Sequence, residues 1–146
     1  MHQIDTYQDN PHRQQVIALW TDVFGRSTGH NDPALSIDKK LAVDDGLFFV
    51  ALVDGRVVGT TLGGYDGHRG WLYSVAVARA FRSSGIGAAL VRRAEQALAQ
   101  RGCTKINLQI VGSNAGVADF YQSLGYEVED RISMGRKVAG NIPATD

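Results

Sequence analysis

The sequence predicts one α/β domain with a mixed sheet, in the order β-α-α-β-β-β-α-β-α-β. Three observations carry this. Trp71–Val77 is rich in β-branched and aromatic residues, and a helical stripe and a second apolar run, Thr104–Val111, follow it. Two strands joined through a helix lie parallel. Asp54-Gly55, flanked by apolar runs, is the strongest hairpin signal in the chain. Antiparallel hairpins therefore lead into a parallel β-α-β unit, with helices on both faces of the sheet.

Taken in order, His2 to Tyr7 alternates weakly and reads as a first strand. Asn10-Pro11 opens a helix whose Val16, Ile17, Trp20 and Phe24 share one face, ending near Gly25. Arg26 to Asn31 is a polar loop. Asp32 as N-cap and Pro33 in the first turn start a second helix, with Leu35, Ile37 and Leu41 as its partly buried side. Leu47–Val53 and Arg56–Leu62 are the strands of the hairpin. Gly63 to Gly70 is a glycine-rich turn into the strand Trp71–Val77. The helix after it places Ile86, Leu90, Ala94 and Leu98 on one stripe, widened by Val91 and Ala97, and stops at Arg101-Gly102. Asn114–Leu124 is the last helix, with Asn114 its cap by residue type and Gly125 past its end. Glu127–Val138 reads as a closing strand. The expected organisation is a single domain over residues 1–139 and a flexible tail over 140–146.

The chain has 146 residues, 44% of them hydrophobic, and a formal net charge of zero. That balance offers no electrostatic footprint for nucleic acid or membrane. No apolar run approaches the roughly 20 residues that span a bilayer, and the lone Cys103 suits a reducing compartment. The expected location is cytoplasmic.

The chemistry concentrates at Arg82-Ser83-Ser84-Gly85-Ile86-Gly87-Ala88, between a strand and a helix. A helix N-terminus exposes unpaired N–H groups and the positive end of the helix dipole, and glycines let an anion approach. Arg82 adds a fixed positive charge. On composition alone the glycines serve a tight turn equally well. The P-loop pattern G-x-x-x-x-G-K-[ST] is absent because Gly87 is followed by Ala88-Ala89, and the dinucleotide pattern G-x-G-x-x-G is absent too.

What remains, R-x-x-G-x-G after a strand ending Val75-Ala76-Val77, resembles the acetyl-CoA motif of the GNAT superfamily of acyl-CoA N-acyltransferases. Asn114 through Phe120-Tyr121 to Gly125-Tyr126 resembles the family's second signature, with Ala118 one position later than the commonest spacing. The resemblance runs from about Ile4 to Val138, and Asn31-Asp32-Pro33 with Gly63 to Gly70 looks like the small bacterial YpeA-like acetyltransferases. It implies the GNAT fold and acetyl-CoA as co-substrate, with no metal. It further implies pyrophosphate held by the main chain of Ser83, Ser84, Gly85, Ile86, Gly87 and Ala88, with the Arg82 charge beside it. Pantetheine would lie along Val75, Ala76 and Val77, with Asn114 and Phe120 near it. Members often end in two strands after the last helix, whereas this chain has room for one, which leaves monomer and homodimer both open.

Tyr121 matches the family tyrosine that donates a hydrogen bond to the departing thiolate. By position alone, one turn from Val117 and Leu124, it also suits a core. Several members use a Glu on the organising strand as general base, and Trp71–Val77 holds no carboxylate. Tyr73, Asp66 and His68 are the base or relay candidates, with His30 and Asp32 further ones. The spacing of these His and Asp residues carries no metal signature. An α-amino group, with pKa near 8, needs less help from a base than a lysine near 10.4. The expected activity is acetyl transfer from acetyl-CoA to a primary amine of a small molecule or a protein. The alternatives are a longer acyl-CoA, decided near Leu108 and Tyr121, or a CoA-binding regulatory module without turnover.

Overall fold

In the computed structural model, which describes residues 2–114 and 116–138, Asp54 and Gly55 both take left-handed backbone, φ 51 and 76. These are the dihedral signs of a type I′ turn, whose twist matches that of the strands it joins. The strands are β2 (Phe48–Val53) and β3 (Arg56–Tyr65), and β1 (Gln3–Thr6), β4 (Gly70–Val77) and β5 (Ile106–Leu108) complete a sheet of order β1-β2-β3-β4-β5. All neighbours are antiparallel except β4 and β5, which run parallel. Contacts divide the chain into two units, Met1–Gln109 and Ile110–Asp146, and the sheet belongs to the first.

Period-2 alternation in the central strands feeds two cores. Helices α1 (Asp9–Phe24) and α2 (Pro33–Val43) lie on one face, where Val16, Leu19, Trp20 and Ile37 pack with Phe48, Val50, Leu62 and Ala76. The rings of Tyr7 and Phe48 stack there at 4.1 Å, with Trp20 next to Phe48 at 5.8 Å. Helix α3 (Ile86–Ala99) takes the other face with Leu90, Val91, Ala94 and Leu98 buried. Gly59 is where α3 approaches most closely: a Cβ there would lie 2.9 Å from Leu90 Cδ1 and 3.0 Å from the Ala76 carbonyl oxygen. The second unit holds a short 3-10 turn, Gly112–Asn114, and helix α4 (Val117–Ser123), after which Gly125 turns with φ 98.

Several expectations are corrected. Residues 127–138 form no strand. Val128, Ile132 and Met134 stay 79%, 92% and 91% exposed, so the run meets neither a ladder partner nor a core, and apolar residues alone do not make a strand. The expected tail, 140–146, lies outside the described residues. β3 continues past Leu62 because Gly63, Gly64 and Tyr65 stay in the β4 ladder, which confines the turn to Asp66–Arg69. On α2 the buried positions are Ile37 and Lys40, while Leu35 and Leu41 are exposed. α4 begins at Val117, with Gly116 rather than Asn114 as its N-cap. β5 is only three residues long.

Two predictions follow from this packing. Gly59→Ala should cost about 1–3 kcal/mol, because the nearest obstacle includes backbone. Urea unfolding checks it as a lower midpoint with unchanged slope. His12 is buried, and its Nδ1 accepts the Gln8 N–H at 3.0 Å, which requires a neutral ring. Burial holds its pKa below 6.5, so the unfolded chain takes up the proton first as pH falls. Stability should fall as pH drops below about 6.5, the unfolded-state value, and His12→Asn should flatten that slope in urea titrations.

Candidate active site

β4 carries the decisive irregularity. Thr60 faces Ala76 and Leu62 faces Tyr73, so Ser74 and Val75 together oppose the single residue Thr61. This is a β-bulge, and Ser74 sits at φ 50. A non-glycine residue in left-handed backbone costs on the order of 1 kcal/mol and persists only where neighbours hold it. Neighbours hold it here: buried Trp20 Nε1 donates to Thr60 Oγ1 at 2.8 Å, and Thr60 Oγ1 donates to the Ser74 carbonyl at 2.8 Å.

Past the bulge the sheet opens. β4 and β5 pair only at Gly70, Trp71 and Leu72. Ala78 N–H donates to the Val58 carbonyl at 2.8 Å, so alternation turns the main-chain groups of Val77 away from β3 and into the open edge. Arg82 Nε donates to the Val77 carbonyl there at 3.2 Å. That carbonyl is therefore engaged, and the guanidinium is anchored at the mouth of the turn.

The turn itself leaves a helix start unserved. Ser83 and Gly85 are left-handed, φ 64 and 85. Ser84 Oγ donates back to the Phe81 carbonyl, and Gly85, the N-cap of α3, supplies no side-chain acceptor. The first-turn amides at Ile86, Gly87 and Ala88 thus have no capping oxygen from the N-cap residue, beside exposed Ser83 and Ser84.

Among the base candidates, Asp66 and His68 sit in the β3–β4 turn, at the opposite end of β4 from the bulge and on the order of 15 Å along the strand. The Asp66 carboxylate accepts the His68 and Arg69 N–H groups at 2.7 Å each. Those bonds hold its pKa down, making it a turn brace and a poor base. His30 lies exposed in a 3-10 turn, and Asp32 caps α2 by accepting the Leu35 N–H at 3.1 Å. Tyr73 is different: next to the bulge and 44% exposed, it has Lys40 Nζ 5.7 Å from its ring centroid. Burial first, and the charge of Asp45 second, push its pKa up. Lys40, itself buried, donates to Asp45 Oδ2 at 2.9 Å and to the Gly63 carbonyl.

In the second unit Tyr121 is buried, edge-on to Phe120 at 4.9 Å and to Tyr126 at 5.9 Å. Loss of solvent pushes its hydroxyl up to about 12. Asn114 ends the 3-10 turn and is exposed.

A strand thus parts from its neighbour past a bulge and leads into a glycine-led helix with no side-chain cap. Residues 13–126 match the model of the acetyltransferase (GNAT) family. The chain belongs to that family. The fold is likewise that of an AAC(6')-Iy structure in complex with the bisubstrate analogue CoA-S-monomethyl-acetylneamine (20% identity, TM-score 0.74, covering 95% of this chain and 99% of that one). It is also similar to glucosamine-6-phosphate N-acetyltransferase from Arabidopsis thaliana (18% identity, TM-score 0.70, covering 95% and 99%). A third likeness is the ribosomal-protein-S18-alanine N-acetyltransferase from Escherichia coli (20% identity, TM-score 0.68, covering 86% and 77%). Membership of the GNAT family makes this an acyl-CoA-dependent acetyltransferase. No helix among the described residues is long and apolar enough to cross a membrane.

Within this GNAT domain, sequence reasoning missed Trp20, Thr60, Lys40 and Asp45. Lys40 had a readable signal, since it stands three residues from Ile37 and so shares its helix face. Thr60 had none, because its role depends on a partner 40 residues away. Thr60→Val should leave the Trp20 N–H and the Ser74 carbonyl unsatisfied, costing about 1–3 kcal/mol. Denaturation should show that loss, and a weaker acetyl-CoA affinity should accompany it as the bulge relaxes.

Proposed function

We propose that this GNAT protein moves the acetyl group of acetyl-CoA to a primary amine by direct attack on the thioester. The observation that carries the reading is the uncapped, glycine-led start of α3 immediately beyond the open edge of β4. Main-chain donors of the turn from Ser83 to Ala88 hold the pyrophosphate, and Arg82 adds charge beside them. The pantetheine arm takes the place of a neighbouring strand along Val75, Ala76 and Val77. A main-chain donor at the Ser74–Val75 bulge faces the thioester oxygen and stabilises the charge that develops there. Asn114 and Phe120 contribute to the coenzyme site as the second motif implies.

The amine nitrogen attacks the thioester carbonyl carbon, the C–S bond breaks, and sulfur departs as thiolate. Tyr121 donates a hydrogen bond to that sulfur. With its hydroxyl near 12 and a thiol near 8.5, full proton transfer is uphill by about 5 kcal/mol, so donation without transfer is the role this tyrosine can fill. The amine loses its proton through water ordered at Tyr73. The braced carboxylate of Asp66 and the exposed His68, both at the far end of β4, are replaced in that role by Tyr73 with the Lys40–Asp45 pair behind it.

Tyr121→Phe should lower kcat by about 10²-fold while leaving the KM for acetyl-CoA nearly unchanged, read by thiol release with saturating amine. Gly85→Ala forces a side chain onto φ 85 and should weaken acetyl-CoA binding about tenfold by titration calorimetry. Heat with acetyl-CoA but no thiol release with any amine would favour a CoA-binding regulatory module instead.

A further inference from the structure

On the α1 side of the sheet, a cavity of about 430 Å³ opens between the end of α1 and the start of α2. That volume falls within the usual range for small-molecule sites. Its apolar wall is Ile17, Pro33 and Ala34, and Thr21, Arg26 and Asp32 contribute polar groups. Thr21 is committed elsewhere, since its hydroxyl donates to the Ile17 carbonyl at 2.8 Å. Arg26 is not: it is exposed and has no hydrogen-bond or ion-pair partner among the described residues. Asp32 spends Oδ2 on the Leu35 N–H and keeps Oδ1 available. One cavity therefore offers a planar cation suited to a carboxylate, a carboxylate suited to an ammonium, and an aliphatic wall.

The cavity shares helix α1 with the support of the bulge. Ile17 packs against the core, and Trp20, one helical turn on, holds the bulge through Thr60. Beyond β4, Arg79 Nη2 donates to the Asp22 carbonyl at 3.2 Å, tying the chain that leaves the open edge to the last turns of α1.

We infer that this cavity is the acceptor site and that the acceptor is a small zwitterion, an amino-acid-like molecule whose carboxylate meets Arg26 and whose ammonium meets Asp32. The inference rests on the acetyltransferase reading above and names its substrate class. The wall of Ile17, Pro33 and Ala34 suits an aliphatic side chain. Before attack the ammonium gives its proton to water; its nitrogen then bonds to the acetyl carbon as the C–S bond breaks and the thiolate leaves.

The test uses the full chain and three matched probes: L-leucine, 3-methylbutylamine, which lacks the carboxylate, and 4-methylpentanoate, which lacks the amine. Titration followed by amide NMR should show L-leucine perturbing residues around Arg26 and Asp32 with Kd at least about tenfold below either analogue. Arg26→Gln should raise the L-leucine Kd about tenfold and leave 3-methylbutylamine unaffected. Asp32→Asn, which keeps the α2 cap, should weaken both amine-bearing probes and spare 4-methylpentanoate. Equal affinity for the three probes, shifts elsewhere, or insensitivity to both substitutions would overturn the inference. Thermal stabilisation by acetyl-CoA is measured alongside. Stabilisation by acetyl-CoA with no L-leucine response at the cavity sinks the zwitterion site and leaves the acetyltransferase reading intact. L-leucine bound there without thiol release from acetyl-CoA overturns its assignment as the acceptor.

Discussion

The bulge at Ser74–Val75 is the constraint from which the rest of the site follows. Without it β4 would run in register with β3, and a regular ladder presents alternating donors with no reason to favour one position. The extra residue puts Ser74 at φ 50, a conformation that a regular strand would abandon. It is kept by a two-bond chain that begins on a different element, from Trp20 through Thr60 to the Ser74 carbonyl. Trp20 and Thr60 are buried, and water cannot readily replace a lost partner at that depth. α1 therefore does more than cover the sheet, because it sets the shape of the strand on which the chemistry depends.

Helix starts in this chain divide by purpose. α2 is closed in the ordinary way, with Asp32 accepting from the Leu35 N–H and Pro33 filling the first turn. α3 begins on Gly85, with no side chain to accept and with the nearest hydroxyl, that of Ser84, turned back to the Phe81 carbonyl. The missing cap costs local stability, which the strongly buried stripe of Leu90, Val91, Ala94 and Leu98 offsets. In the proposed function an outside anion would supply the missing acceptor, which would tie affinity for a diphosphate to the stability of this helix.

Lys40 shows how the fold spends a charge inside. Its ammonium is buried, yet it is matched by Asp45 and by the Gly63 carbonyl, and it stands 5.7 Å from the ring centroid of Tyr73. A buried charge is tolerated only with that degree of satisfaction. Tyr73, next to the bulge, keeps its proton because burial and the charge of Asp45 both push its pKa up, which suits it to ordering water rather than to abstracting protons outright. The carboxylate absent from β4 is thus not replaced by a nearer one on the same strand. Asp66, the obvious substitute in the sequence, is consumed in holding its own turn.

The local signals were strong where local physics decides. The Asp54-Gly55 turn, the Asp32-Pro33 start, the stripe of α3 and the parallel unit around it are each set by residues within a few positions of one another, and the sequence determined them by itself. So too the glycine-led turn before α3, whose residue types and order are local. Tertiary structure alone decided the rest. The bulge requires Thr60 and Trp20 to meet across 40 residues. The buried lysine needs a carbonyl from β3. The run over residues 127–138 lacks a strand because pairing is a property of two segments, and a one-dimensional pattern records only one of them.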